Sequence, residues 1–324
     1  MKAVIPVAGI GKRLRPHTFT IPKALLNVAG KPILGHIVDS LIGMGVDELI
    51  PIIGYKGELI KEYLEKNFDV PMKFVEQEDP RGIAHAVALT RDYANNSELI
   101  IILGDTIIDT DFSAIPKAGD YVLGVREVED PSRFGICVME NGKIKQIVEK
   151  PDEPIGNLAI VGLYYFKDSA PLYDACNEII EKDITTKGEY QITDALQLMI
   201  NKGIEFVPYS IDGWYDCGKV ETLLETNRIL LSQHKETYRR EGCIIIEPCY
   251  IDPDCVLTNS IVGPFVTVAA GCYIKNSIIE NSILNELSRI ENVILESSVV
   301  GAFAEVTGRR SSINVSDYSQ VDFK

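Results

Sequence analysis

The sequence predicts two architectures in series: an α/β domain on a mostly parallel sheet, then a parallel β-helix. Three observations carry this. Strand-like and helix-like segments alternate through the first two hundred residues. An amphipathic stretch follows at 219–240. Beyond it, an aliphatic residue returns every six positions.

The elements follow in order. "KAVIPVA" reads as a buried strand, and "ILGHIVDSLIGMG" (33–45) as a helix closed by glycine. "ELIPII" is strand-like, "GELIKEYLEKN" helical and "MKFVEQ" strand-like. "GIAHAVALTRDYA" (82–94) is helical and "LIIILGD" a strand. Such alternation implies a mostly parallel sheet with both faces covered. Its ligands sit outside the carboxyl ends of the strands. That puts Gly9 and Gly11, after the first strand, and Asp105, after "LIIIL", on one rim. The segment 219–240 has apolar residues at 220, 223, 224, 230 and 231, which suits an amphipathic helix. Then Val256, Val262, Val268 and Ile274 recur every six residues, and Ile279, Leu284, Ile290, Val300 and Val306 continue with small slips. Six matches neither the helical nor the strand period. It fits a β-helix in which each hexapeptide makes a short strand and a corner, rather than an irregular sandwich. The domains are expected at 1–240 and 241–324.

Composition narrows the partners. The 324 residues carry 32 Lys+Arg against 47 Asp+Glu, a formal charge of −15. That charge repels nucleic-acid backbones and anionic membranes. The start lacks a signal peptide's order, and the longest apolar runs are strand-length, so a cytoplasmic protein is expected. The seven cysteines form no C-x-x-C pair, and the count is odd. Cys243, Cys249 and Cys255 are spaced by six, with no histidine beyond His234. They read as small buried residues of the periodic region rather than metal ligands.

Against this acidity stands "GIGKRLRPHTFTIPKALL" (9–26), with Lys12, Arg13, Arg15 and Lys23 and no acid; the first acid of the chain is Asp39. Two phosphate-loop signatures fail. The dinucleotide fingerprint begins at Gly9 and Gly11 but has Leu14 for its third glycine. "GWYDCGKV" (213–220) nearly matches a P-loop, but Val220 replaces the hydroxyl residue. What remains is a glycine turn among cations. Glycines let backbone N–H groups approach phosphate closely. Arg13 offers a planar fork, Lys23 a mobile point charge, and Pro16 and Pro22 stiffen the loop. A merely solvated basic loop would leave the glycines, the prolines and the missing acids unexplained.

These residues resemble the signature of the sugar-1-phosphate nucleotidylyltransferases, the nucleotide-sugar pyrophosphorylases. "VAGIGKRLRPHTFTIPKALLNVAGKP" is followed, in the family's order, by "EQEDPRGIAHA", "LGD", "RFGI", "VEKP", "NLAIVGLYYF", "GEYQITDAL" and "WYDCGKVETLLETN". The tail, with "GRRSSINVSDYS" (308–319), looks most like long-form glucose-1-phosphate thymidylyltransferases. The resemblance implies a Rossmann-like nucleotidyltransferase domain and a left-handed parallel β-helix.

It also implies a reaction. A sugar 1-phosphate oxygen attacks the α-phosphorus of a nucleoside triphosphate, dTTP or UTP, and pyrophosphate departs. Two polyanions must be brought together, which positioned cations and Mg²⁺ accomplish. By resemblance, Arg13 and Lys23 are catalytic. Ala8, Gly9, Gly11, Lys12, Gln77, Gly82 and Asp105 bind nucleotide, with Lys12 in place of the family's Ser or Thr. Gly135, Glu149, Lys150, Asn157, Val161 and Gly162 bind the sugar phosphate, and Asp105 and Asp216 hold the metal. Glu189 and Asp194 organise the pocket wall and a helix start. Gln77 offers one donor and one acceptor, complementary to the N–H beside a carbonyl of uracil or thymine.

Three alternatives stand beside this reading. The first keeps the chemistry with mannose 1-phosphate and GTP, or with an amino-sugar 1-phosphate. The second is a silent regulatory subunit, which should have lost cations and metal ligands that are present here. The third is an acyltransferase β-helix, which lacks a histidine base, since the four histidines are His17, His36, His85 and His234. The β-helix is therefore expected to serve assembly or regulation, in a homo-oligomer.

Overall fold

The computed structural model describes residues 1–308, so most of "GRRSSINVSDYS" lies outside the described residues. The chain divides into two compact units. One is Met1–Leu26 with Lys31–Thr226; the other is Asn27–Gly30 with the residues from Asn227 onward.

The first unit is a nine-stranded sheet with helices. At its centre Lys2–Pro6 pairs in parallel with Glu48–Ile53 on one side and Leu99–Ile102 on the other. Val75–Glu76 extends the parallel run. These central strands are buried and aliphatic, as a sheet covered on both faces requires. The expected helix at 33–45 spans Ile33–Met44 and ends on Gly45, which is left-handed at φ 90°.

Beyond residue 120 the sheet becomes mixed. Leu158–Phe166 runs antiparallel to Leu99–Ile102, Tyr121–Glu127 and Gly135–Glu140. Gly135–Glu140 and Lys143–Glu149 form a hairpin turned at Asn141 and Gly142, both with positive φ. That two-residue turn costs no crossover, so helices do not separate these strands. Leu158–Phe166 bulges between Ile160 and Tyr164, where Gly162 takes φ 82° and its carbonyl accepts from the Leu103 N–H at 3.0 Å. The bulge bends the strand beside the rim.

Two helices depart from expectation. The stretch 82–94 splits into Ile83–Ala88 and Arg91–Ala94. The buried Thr90 hydroxyl turns back to the Val87 carbonyl at 2.7 Å and meets the Tyr173 hydroxyl, offering the backbone a local alternative to the helix. The stretch 219–240 is helical only over Val220–Ser232. After Leu231 the next six residues are all polar, so no apolar face holds a further turn before Tyr238. Tyr238 instead packs on the interior of the second unit.

The second unit stacks three parallel four-stranded sheets, the arrangement of a left-handed β-helix. Ile244 lies on Ile261, Ile261 on Ile278 and Ile278 on Ile294, so coils are 17 and then 16 residues long. Coils shorter than three sixes explain the slips in the period. They also correct one position: Val256 is 52% exposed, and Leu257 takes the inward place between Ile251 and Val262. Cys249, Cys255 and Cys272 are buried in this interior with Val268, Ile274 and Leu284. The wholly buried Asn227 anchors the unit: its Oδ1 accepts from the Ala29 N–H at 2.9 Å and the Thr267 hydroxyl at 2.6 Å, and its Nδ2 donates to the Phe265 carbonyl at 3.2 Å. Among the described residues no helix is long and apolar enough to cross a membrane.

Candidate active site

Two neighbouring strands end at one rim. After Pro6 the chain runs through Val7, whose N–H donates to the Ile52 carbonyl, and into the glycine turn. After Ile102 it reaches Gly104, whose N–H donates to the Pro6 carbonyl at 3.2 Å, and then Asp105. The parallel register that sets Lys2 beside Leu99 therefore delivers the turn and the carboxylate to the same place.

The turn is shaped by Gly11, which is left-handed at φ 67° and accepts from the Thr18 hydroxyl at 2.9 Å. A Cβ there would stand 2.9 Å from the Cβ of Lys23. This close approach brings the buried Lys23 beneath the turn, where its Nζ lies 2.9 Å from Asp105 Oδ2. The cation is the buried partner, with 10% of its side chain exposed, while the carboxylate is 46% exposed and open to solvent.

Asp216 reaches the rim from a distant stretch. Gly213–Asp216 pairs antiparallel with Thr106–Asp109, placing Asp216 opposite Thr106, and the Cys217 N–H donates to the Asp105 carbonyl at 3.2 Å. "GWYDCGKV" is thus a strand leading into a helix and not a phosphate loop. A side chain on Gly218 would meet Asp216 Oδ1 at 2.8 Å and Arg13 Nη2 at 3.0 Å. So Arg13 and Asp216 converge on the bare backbone of Gly218.

Two clefts open here. The first, about 420 Å³, is lined by Ala8, Gly9, Gly11, Lys12, Arg13, Lys23, Gln77, Gly82 and Asp105, with Glu189 at its edge. The second, about 560 Å³, is lined by Gly135, Glu149, Lys150, Val161, Gly162 and Asp216. Arg13 and Asp105 line both. Every residue expected to bind substrate or metal except Asn157 therefore lines one cleft or the other. Asp194, expected at the pocket wall and a helix start, lies in the first turn of the helix Ile192–Asn201 and lines neither. Asn157 is exposed and lines neither; its carbonyl accepts from the Val128 N–H at the end of a strand pair.

In the second cleft Glu149 is held on two sides. The Thr193 hydroxyl donates to Oε2 at 3.1 Å, and Lys150 Nζ lies 3.3 Å from Oε1. Lys150 itself is left-handed at φ 43°, with its N–H tied to the Phe134 carbonyl at 2.9 Å. A non-glycine residue held there carries strain of about 1–3 kcal/mol, the kind of cost that collects at functional sites. Burial pushes the Asp194 carboxyl above its ordinary range, and the Glu149 charge adds to this against a hydrogen bond from Thr186.

Reasoning from the sequence did not single out Thr193, Phe134, Trp214 or Gly218. Phe134 and Trp214 pack edge to face at 4.9 Å and line the second cleft. All four lie inside stretches that carry the family resemblance, Phe134 in "RFGI", Thr193 in "GEYQITDAL" and the other two in "WYDCGKVETLLETN", and the order of those stretches is the available signal.

Comparisons with known proteins identify the family. The nucleotidyl transferase family model matches residues 2–233. A low-salt glycan biosynthesis nucleotidyltransferase of Haloferax volcanii is 36% identical over 254 residues, covering 75% of this chain and 69% of that one. A glucose-1-phosphate thymidylyltransferase of Streptomyces griseus is 30% identical over 337 residues, covering 95% and 94%. A crystal structure of a UDP-glucose pyrophosphorylase complexed with UDP-glucose superposes with a TM-score of 0.62 at 25% identity, covering 72% of this chain and 99% of that one. A strand-end rim carrying arginine, lysine and two aspartates, within a matched span of more than two hundred residues, makes this chain a member of the nucleotidyl transferase family.

Proposed function

We propose that the enzyme transfers a uridylyl or thymidylyl group from UTP or dTTP to a sugar 1-phosphate, glucose 1-phosphate above others. The observation that carries this is the sharing of Arg13 and Asp105 by two adjoining clefts. A triphosphate in the first and a sugar phosphate in the second would meet at those residues. The sugar-phosphate oxygen forms a bond to the α-phosphorus, the bond to the β-phosphate oxygen breaks, and pyrophosphate leaves.

Each side chain has a task in that displacement. Arg13 offers a fork to the phosphoryl oxygens as their charge grows, and Lys23 supplies a second cation from below. Lys12, exposed on the first cleft, adds charge to the phosphate grip. Lys150 pairs with the sugar phosphate, and Glu149, held by Thr193, accepts from sugar hydroxyls. Asp105 and Asp216 suit Mg²⁺: two hard carboxylates, one of them open to solvent, leave room for phosphate and water oxygens. Among the described residues no group of three or more His, Cys, Asp or Glu gathers, which is the donor set a wholly protein-held ion would need. When bound, the cation would withdraw charge from the phosphoryl group.

The second unit would serve assembly. Ile244, Ile278 and Ile294 are exposed in register along one sheet, an apolar ladder suited to pairing with another copy. Seven free cysteines fit a cytoplasmic seat.

The test is pyrophosphate release with Mg²⁺ over a matrix of nucleoside triphosphates and sugar 1-phosphates. UTP or dTTP with glucose 1-phosphate is expected to give the highest kcat/KM. Preference for GTP with mannose 1-phosphate would replace the reading. Within the matrix, Gln77→Glu should weaken the pyrimidine triphosphates more than GTP, whose two adjacent donors suit a carboxylate. Equal effects would remove Gln77 as the base reader.

A further inference from the structure

Three polar side chains form a chain at the wall of the first cleft, and only the first has a task so far. Gln77 lines the cleft, and His85 lies on the short helix Ile83–Ala88; each is 8% exposed. The Gln77 amide nitrogen is 3.2 Å from His85 Nδ1 and 3.4 Å from the Gly82 carbonyl oxygen. Across the ring, Arg81 Nη2 is 2.7 Å from His85 Nε2. Arg81 also lies over the Tyr190 ring and 3.7 Å from Asp79.

A carboxamide has a donor end and an acceptor end, exchanged by a half-turn. A ring nitrogen of neutral imidazole is a donor or an acceptor, never both. Burial and the Arg81 charge, against Asp79, hold the His85 pKa below its ordinary value, which favours the neutral ring. Arg81 can only donate, so Nε2 accepts from it and the proton of the neutral ring sits on Nδ1. Nδ1 therefore welcomes the oxygen end of the Gln77 amide, which takes the place against the ring, and repels the nitrogen end. The ring therefore opposes the half-turn, and the end of the amide left for a ligand is set.

The consequence lies in the bases. Uracil and thymine present a ring N–H beside a carbonyl. Cytosine presents the reverse, a bare ring nitrogen beside an amino group. A freely turning amide serves both edges; a held one serves a single edge. We propose that His85 is a positioning residue that locks the Gln77 amide and so makes the site discriminate uracil and thymine from cytosine. This rests on Gln77 reading the base, as proposed above.

The experiment measures pyrophosphate release from UTP against CTP, and from dTTP against dCTP, with glucose 1-phosphate and the full-length protein. His85→Ala and His85→Leu are compared; the second fills the space but offers no hydrogen-bonding atom. Both are expected to lower the uracil-to-cytosine ratio of kcat/KM by about tenfold, chiefly by admitting the cytosine nucleotide. A structural role alone would lower the Tm and leave that ratio in place. In a Gln77→Ala background the His85 substitutions should change the ratio no further. An unchanged ratio in the His85 variants, or an effect that adds in full to Gln77→Ala, overturns the lock. An unchanged ratio in Gln77→Ala alone overturns base reading itself, and the lock with it.

Discussion

Asp105→Asn is expected to cut kcat on the order of 10³-fold while leaving the fold intact. The substitution keeps the shape and removes one negative charge. Lys23 Nζ, now 2.9 Å from Oδ2, could still donate to the amide oxygen, so the buried cation keeps a partner and stability should move by only about 1 kcal/mol. The catalytic loss comes from elsewhere. Asp105 faces both clefts, and its half-exposed carboxylate is the oxygen donor that a cation bridging protein and phosphate would need. An amide oxygen binds Mg²⁺ far less well than a carboxylate, so raising the Mg²⁺ concentration should recover part of the lost rate. Pyrophosphate release across an Mg²⁺ series, with circular dichroism and Tm on the same samples, checks this. Activity within about threefold of the parent would remove Asp105 from the chemistry.

Arg13→Ala is expected to lower kcat by about 10²–10³-fold, with a smaller change in KM for the triphosphate. Arg13 is exposed, on a short 3-10 turn over Lys12–Leu14, so the fold should hardly notice its loss. Its guanidinium converges with Asp216 on Gly218, where the two clefts meet. A fork placed there acts on oxygens whose charge grows during the displacement, so its loss falls on kcat. Arg13→Lys should recover little, because a point charge on a flexible stem cannot reproduce two parallel contacts. Steady-state kinetics on both variants decides it. A rise in KM with kcat unchanged would reduce Arg13 to an ordinary binding residue.

How far the sequence could be read follows the range of the forces involved. The glycine turn, its cations and Asp105 were legible because strand ends and turn residues are local signals, and the parallel register alone brings them together. The two-residue turn at Asn141–Gly142 is equally local, yet the antiparallel half it opens went unread. Asp216 was reachable through its motif but not by geometry. It depends on pairing Gly213–Asp216 with Thr106–Asp109, about a hundred residues earlier. Thr193, Trp214 and Phe134 were missed for the same reason. The helix over 82–94 broke because Thr90 found local and tertiary hydrogen-bond partners that no periodicity reports. In the β-helix the period was visible, but coils of 16 and 17 residues moved the inward place from Val256 to Leu257. Asn157 shows the limit of transfer by motif: it matches in order along the chain yet lines neither cleft.

The most direct measurement is anomalous scattering from Mn²⁺ in crystals grown with an unreactive UTP or dTTP analogue. An ion held by Asp105 and Asp216, with the triphosphate in the first cleft within reach of Arg13, is the expected result. An ion bound away from both aspartates, or a triphosphate lying outside the cleft that Arg13 and Asp105 share, would contradict it.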